Sequence, residues 1–295
     1  MNQLRGEMRY DEPLAWHTSW RVGGPARRFY RPADSEDLIQ FLQGLPAREP
    51  ILWLGLGSNL LVRDAGFEGT VIALKGRIDR MEMISETWLR AEAGASCARV
   101  ARLGASAGLV GLEFLAGIPG TMGGALAMNA GAFGGETWDS VRVVETLDRW
   151  GQVRHRPPGD FEVGYRRVSG PPGEWFLAAH LEAEPGDVKQ GQRRIRQLLE
   201  LRAATQPIGL PSCGSVFRNP EGEHAARLIE AAGLKGEIIG GAQVSEKHAN
   251  FIINTGGATA ADIEQLIERV RERVLEASGI RLETEVHMVG GAETG

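Results

Sequence analysis

Residues 51–66 read ILWLGLGSNLLVRDAG. Ile51 to Leu54 form a short apolar run of the kind that makes a buried strand, and the chain then turns through Gly55, Leu56, Gly57, Ser58, Asn59 and Leu60. Two glycines behind a strand begin a dinucleotide fingerprint, which also needs a third glycine and a helix to receive the pyrophosphate. Leu60 stands at the third glycine position, and Val62-Arg63-Asp64-Ala65-Gly66 starts no helix. The run therefore makes no Rossmann site. What is left is a tight turn whose amide N–H groups, with the Ser58 and Asn59 side chains, form a nest able to take a pyrophosphate. Taken alone, a Gly-x-Gly turn behind a strand is more often just a turn.

A second run extends the argument. Gly117-Ile-Pro-Gly-Thr-Met-Gly-Gly124 is followed by Asn129-Ala-Gly-Ala-Phe-Gly-Gly135, seven glycines in nineteen residues. Each costs roughly 0.5–1 kcal/mol relative to alanine wherever alanine fits. A surface loop would not carry Ile118, Met122, Leu126 and Met128 among them. The expectation is backbone packed against a large flat or phosphorylated ligand, with Gly117, Ile118, Pro119, Gly120, Gly123, Gly124, Asn129 and Gly131 as candidate contacts.

Glycine fills 40 of 295 positions, about twice the average usage of roughly 7%. The glycines follow no fixed period, so the chain is not collagen-like. With 42% hydrophobic and 24% charged residues the chain can build a core. A net charge of −5, with both signs interspersed, argues against nucleic acid as a partner. Arg5, Glu7, Arg9, Asp11 and Glu12 stand where a signal peptide needs an apolar stretch. The longest apolar run, 108–120, is too short to span a bilayer. Cys97 and Cys213 match no metal or redox spacing, and the six histidines show no ligand pairing. The expectation is a cytoplasmic protein with no metal and no membrane contact, monomeric for want of a heptad or a bare apolar helix.

Short strands and helices alternate through the first two-thirds. Ser35 is positioned to cap a helix through Leu38, Phe41 and Leu42, and Ser96 to open another ending near Gly108. Further strands read at 141–147 and 175–183. A helix carrying Ile195, Leu198 and Leu199 runs to Gln206-Pro207, a boundary because the residue before proline leaves the helical region. Beyond it, Thr259 and Asp262 frame a relative of the capping box, and Ile263, Leu266, Ile267, Val270 and Val274 form one apolar stripe ended by Gly279. Residues 281–289 alternate like a final strand with Glu283 and Glu285 on one face.

HTSWRVGGPA, LGLGSNLLVRDAGFEGTVI, GIPGTMGGALAMNAGAFGGE, FEVGYRRVS, PSCGSVFRNP and LETEVHMVG, in that order, resemble the UDP-N-acetylenolpyruvoylglucosamine reductases of peptidoglycan synthesis. The resemblance covers nearly the whole chain. It implies an α+β fold: an FAD-binding region of p-cresol methylhydroxylase type over 1–204, in two subdomains split near 75–80, and a smaller substrate-binding domain over 205–295. In such a region loops, not a Rossmann helix, hold the pyrophosphate of a non-covalent FAD. The short stretch between Arg166 and Ser215 resembles the compact form of the family.

The implied reaction is reduction of an enolpyruvyl ether to a lactyl ether, with NADPH reducing FAD and the flavin passing hydride to a nucleotide-sugar substrate. Arg166 matches the family's carboxylate-binding arginine, and a guanidinium offers two oxygens a planar, permanently charged fork. Ser215 matches the proton donor; a carbanion is a strong base, so transfer needs position more than acidity. Glu285 matches the residue that hydrogen-bonds the developing enolate, with Glu283 the alternative on the same face. To donate that bond Glu285 must be neutral. Tyr165 reads equally as a flavin or substrate contact and as a buried structural residue. Arg202, Arg218 and Asn219, then Lys247 and His248, are candidates for the diphosphate, and the residues do not choose among them.

Two other classes compete. Another flavoenzyme of the same fold would explain the glycine runs but not the Ser215 and Glu285 motifs, and a non-catalytic nucleotide-binding module would need neither.

Overall fold

The computed structural model describes residues 3–291. The chain divides into two compact units. The first comprises the residues up to Arg9, Phe29–Leu56 and Val71–Leu201; the second comprises Tyr10–Arg28, Gly57–Thr70 and the residues from Arg202 onward.

In the first unit a five-stranded sheet runs in the order Val153–Arg156, Val141–Asp148, Glu174–Glu182, Trp88–Glu92, Met81–Met83, each neighbouring pair antiparallel. Val144, Leu181 and Leu89 from this sheet are buried with Val100, Leu115, Met122 and Leu126 in one core. Helix α1 (Ser35–Gln43) buries Leu38, Phe41 and Leu42 in a second cluster with Tyr30 and Ile72. Its cap is Asp34, one residue before the expected Ser35, and Asp34 accepts the Asp37 N–H at 3.0 Å. Both residue types cap, but a carboxylate also complements the positive end of the helix dipole. Helix α2 (Cys97–Ser106) is capped by Ser96, as expected. Helix α3 (Met122–Met128) rises from the middle of the second glycine run. Helix α4 (Val188–Thr205) leads up to Pro207.

The second unit also contains helix α5 (Ala225–Ala231) and is organised around helix α6 (Ala260–Ser278). Thr259 and Asp262 form a complete capping box, Gly279 closes the helix with φ 72°, and all five stripe residues are buried. Both carboxylate oxygens of Asp64 accept the first helical N–H groups, from Ala260 and Ala261. The Trp20 indole donates to Ile252 O at 2.7 Å, and Asn254 Nδ2 donates to Trp20 O at 2.9 Å. Leu60–Val62 pairs in parallel with His287–Val289. These contacts place 10–28 and 57–70 in the second unit, although both lie early in the sequence.

The expected strand over 281–289 is shorter. Only His287–Val289 is a strand, and the residues before it are held by an isolated bridge between Thr284 and Phe217.

Candidate active site

Ser215 and Glu285 lie on two segments of the second unit that are hydrogen-bonded to each other. Glu285 N–H donates to Val216 O at 2.8 Å and Arg218 N–H donates to Glu283 O at 2.9 Å. Gly214, at φ 78°, supplies the left-handed residue that brings the chain out of buried Cys213 into Ser215. Burial pushes the Cys213 thiol well up from its ordinary range. Cys213 is therefore an inert packed thiol beside the site. Because 281–286 is not a regular strand, the two glutamates part company. Glu285 is half-buried, while the Glu283 side chain is 78% exposed with Arg218 Nη1 at 3.8 Å.

Asn59 reaches the same place from the first glycine turn. Its Nδ2 donates to Glu285 O at 2.9 Å, and its own carbonyl accepts from His287 N–H at 3.1 Å. The side chain expected to face a cofactor thus also anchors the backbone of Glu285. Gly57, at φ 65°, packs on backbone, since a Cβ there would overlap His17 O.

Among the diphosphate candidates, Arg202 is half-buried and its Nε donates to the neutral Gln206 Oε1 at 3.1 Å. No carboxylate among the described residues pairs with it, and burial lowers its pKa. Lys247 Nζ donates to Ala203 O at 2.6 Å. His248 packs its ring on Phe251, 4.7 Å between centroids, and burial lowers its pKa. Asn219 Oδ1 accepts Ala225 N–H at 3.1 Å, tying down the start of α5. Arg218 is half-buried.

In the first unit Arg166 occupies a two-residue turn, Tyr165-Arg166, between the paired strands Glu162–Gly164 and Arg167–Ser169. Its φ of 54° is a left-handed conformation that costs a non-glycine residue about 1–2 kcal/mol. Its guanidinium donates to Asn129 O at 3.2 Å and Gly131 O at 2.9 Å, so the arginine is fastened to the second glycine run. Tyr165 is 47% exposed, which removes the buried structural reading, and its ring centroid lies 5.1 Å from Arg166 Cζ. Asn129 spends its side chain on the protein. Nδ2 donates to Glu136 Oε2 and Gly164 O, and Oδ1 accepts Trp138 N–H.

The glycines of both runs are demanded largely by the protein itself. A Cβ at Gly55 would overlap Thr121 Oγ1, and one at Gly117 would overlap the Phe133 ring. At Gly123 a Cβ would press on Ala93 at 3.0 Å, and at Gly131 on Gly135 O at 2.6 Å. Gly120 O accepts Cys97 N–H at 3.0 Å, and Ile118 is buried. Gly124 differs, its nearest neighbour to an added Cβ being Thr121 Oγ1 at 3.8 Å. It opens on a cavity of about 290 Å³ within the first unit, walled by Trp53, Gly55, Thr121, Gly123, Gly124 and Trp175. The Trp53 and Trp175 rings sit 5.1 Å apart. Trp53 Nε1 is buried with no acceptor among the described residues. A buried indole N–H left unpaired is costly, so the cavity suits a flat heteroaromatic group with an acceptor at its edge. An FAD fits that description. Trp53 was missed in the sequence because its indole reads as core; its place two residues before Gly55 was the available signal.

The sheet also brings Glu145, His155 and His180 together, their ligand atoms within 4.8 Å of one another. Arg90 claims the carboxylate first, with Nε at 2.6 Å from Oε1 and Nη2 at 2.7 Å from Oε2, and His180 Nε2 adds a bond at 2.7 Å. Burial would raise the Glu145 carboxyl, but these hydrogen bonds outweigh it and bring its pKa to about 2. The cluster is an ion-paired network whose carboxylate oxygens are already engaged.

Residues 206–289 match the C-terminal domain of UDP-N-acetylenolpyruvoylglucosamine reductases, and residues 26–156 match an FAD binding domain. Reductases of that name from Alkalilimnicola ehrlichii and Methylococcus capsulatus are 63% and 62% identical to this chain. Each alignment covers 98% of it, and 97% and 95% of the respective relative. The crystal structure of UDP-N-acetylenolpyruvylglucosamine reductase from Thermus caldophilus matches with a TM-score of 0.83 at 35% identity, over 97% of this chain and 99% of that one.

Proposed function

The chain belongs to the UDP-N-acetylenolpyruvoylglucosamine reductase family of FAD-dependent oxidoreductases, and on that premise we propose how its own residues carry out the reduction. The substrate is the enolpyruvyl ether of UDP-N-acetylglucosamine, and the product, UDP-N-acetylmuramate, is a cytoplasmic precursor of peptidoglycan. FAD, when bound, supplies the hydride, and NADPH renews it.

The Trp53 cavity and the groups Gly117, Ile118, Pro119, Gly120, Gly123, Gly124, Asn129 and Gly131 hold the cofactor on the first unit. Gly55, Leu56, Gly57, Ser58, Asn59 and Leu60 offer amides for its pyrophosphate. Arg202 is the diphosphate arginine of the substrate, because a half-buried guanidinium whose hydrogen-bond partner among the described residues is a neutral amide gains most from an anion. Arg218, Lys247 and His248 serve the nucleotide around it. Tyr165 contacts substrate from the exposed turn.

Arg166 binds the substrate carboxylate. Hydride addition at the methylene carbon moves the double-bond electron pair onto the carbon bearing that carboxylate, as an enolate. The Ser215 Oγ–H then protonates the carbon, and the serine recovers its proton from solvent. Glu285, protonated, donates a hydrogen bond to the enolate oxygen, since a charged carboxylate there would repel a dianion. The observation that carries this reading is the backbone bond from Glu285 to Val216 at 2.8 Å, which puts donor and enolate partner on adjoining segments.

The test is a purified holoenzyme assay. NADPH consumption that depends on the enolpyruvyl nucleotide, in a protein that copurifies with FAD, is the expected result. A colourless protein that takes up no FAD overturns it.

A further inference from the structure

Building on the role given above to Ser215, we propose that Asn250 is a positioning residue for proton donation, aiming the Ser215 hydroxyl through the backbone of the two residues that follow it. Asn250 is 3% exposed. Its Oδ1 accepts Phe217 N–H at 2.9 Å, its Nδ2 donates to Phe217 O at 2.8 Å, and its main-chain oxygen accepts Val216 N–H at 2.9 Å. Three bonds from one residue thus converge on Val216 and Phe217. The opposite flank of the same two residues is tied to the Glu285 segment, through Val216 O and the bridge from Phe217 to Thr284.

Upstream, the nearest main-chain tie is Asn254 N–H to Pro211 O at 2.9 Å, four residues before Ser215. Gly214 has a left-handed backbone with nothing within 4 Å of where a Cβ would stand, so the chain is permissive there. The Ser215 hydroxyl makes no hydrogen bond among the described residues. Its direction is therefore inherited from the C-terminal side, where Asn250 acts.

Asn250 is itself fixed. It lies in a turn closed by Ser245 N–H to Phe251 O at 2.8 Å and Phe251 N–H to His248 O at 3.0 Å. A planar primary amide of this length presents a donor and an acceptor side by side, matching the N–H and C=O of Phe217. Aspartate has the same shape but sets an oxygen against the Phe217 carbonyl. Proton delivery to carbon is sensitive to such a shift, and a displacement of about 1 Å can cost ~10²-fold.

The experiment uses holoenzyme in anaerobic stopped flow with Asn250→Asp. Reoxidation of the reduced flavin by the enolpyruvyl nucleotide is expected to slow by about 10–100-fold, while flavin reduction by NADPH keeps its rate. Lowering the pH, which protonates the new carboxyl and restores a donor, is expected to recover part of the loss. If both half-reactions fall together, or neither changes, Asn250 does not position the donor. Should Asn250→Asp fail to retain flavin, Asn250→Ser, which puts one hydroxyl in place of the amide, is judged by the same split. Ser215→Ala run in parallel separates the two ideas. If it shows no split, the role of Ser215 fails; if it does and the Asn250 variants do not, only the inference about Asn250 falls.

Discussion

Gly55→Ala isolates what the first glycine turn is for. Gly55 is not among the positive-φ glycines, so alanine is allowed by the backbone and any penalty is steric. The added Cβ would overlap Thr121 Oγ1, while the Thr121 Cβ and Cγ2 stand at 3.4 Å, an ordinary contact. Thr121 is buried and is the N-cap of α3, yet its hydroxyl makes no capping bond. Overpacking of this kind costs about 1–3 kcal/mol, which corresponds to a Tm lower by roughly 2–12 °C at about 2–4 °C per kcal/mol for a domain of 150–250 residues. Removing the hydroxyl with Thr121→Ala lifts the overlap without losing a cap. The double variant Gly55→Ala/Thr121→Ala should therefore be more stable than the sum of the singles, with a coupling of about 1–3 kcal/mol. The assay is thermal unfolding of the holoenzyme, with flavin absorbance to show retained cofactor. A double variant no better than the additive sum would mean that Thr121 does not dictate glycine at 55.

Trp53→Phe keeps an aromatic ring and removes the indole N–H, which has no acceptor among the described residues. If FAD supplies that acceptor, titration of the apoprotein should show Kd weakened by about 3–10-fold, the worth of one hydrogen bond; unchanged affinity would rule out the indole as a donor. Arg202→Gln should raise KM for the enolpyruvyl nucleotide by about 10–100-fold, as expected for a charge-assisted bond, with kcat little changed; an unaltered KM would put the diphosphate elsewhere. The Glu145 carboxyl falls from an ordinary 4.5 to about 2 in the folded protein, worth about 3 kcal/mol at 1.36 kcal/mol per tenfold change. A lowered pKa stabilises above the ordinary value and loses that contribution as pH falls from about 4.5 towards 2. Denaturant unfolding of Glu145→Gln should therefore show lower stability at neutral pH and a flatter acid limb, and an unchanged slope would contradict the network.

What the chain discloses before folding depends on how local the physics is. The α6 capping box and stripe are contained in twenty residues, and they were readable because capping and 3.6-residue periodicity act within one element. The failure of the Rossmann fingerprint at Leu60 was equally local. By contrast, the pairing of 60–62 with 287–289 and the bond from Trp20 to Ile252 join residues more than 220 apart, and no window over the sequence contains them. The alternation across 281–289 promised one face for Glu283 and Glu285, but a single bridge to Phe217 replaced the strand and separated them. Most glycines of the two runs turned out to accommodate protein neighbours such as Phe133 and Thr121. Composition registers close approach without saying to what. Trp53 and Asn250 were silent because a tryptophan in an apolar run and an asparagine in a turn both have ordinary structural roles.

The central claim is that Ser215 delivers the proton to the substrate carbon. The direct measurement is anaerobic stopped flow on wild type and Ser215→Ala, following flavin reduction by NADPH and reoxidation by the enolpyruvyl nucleotide separately. The account predicts that NADPH still reduces the flavin of the variant while reoxidation slows by about 10²–10⁴-fold, the range for loss of a general acid. Reoxidation at the wild-type rate, or equal loss in both halves, would contradict it.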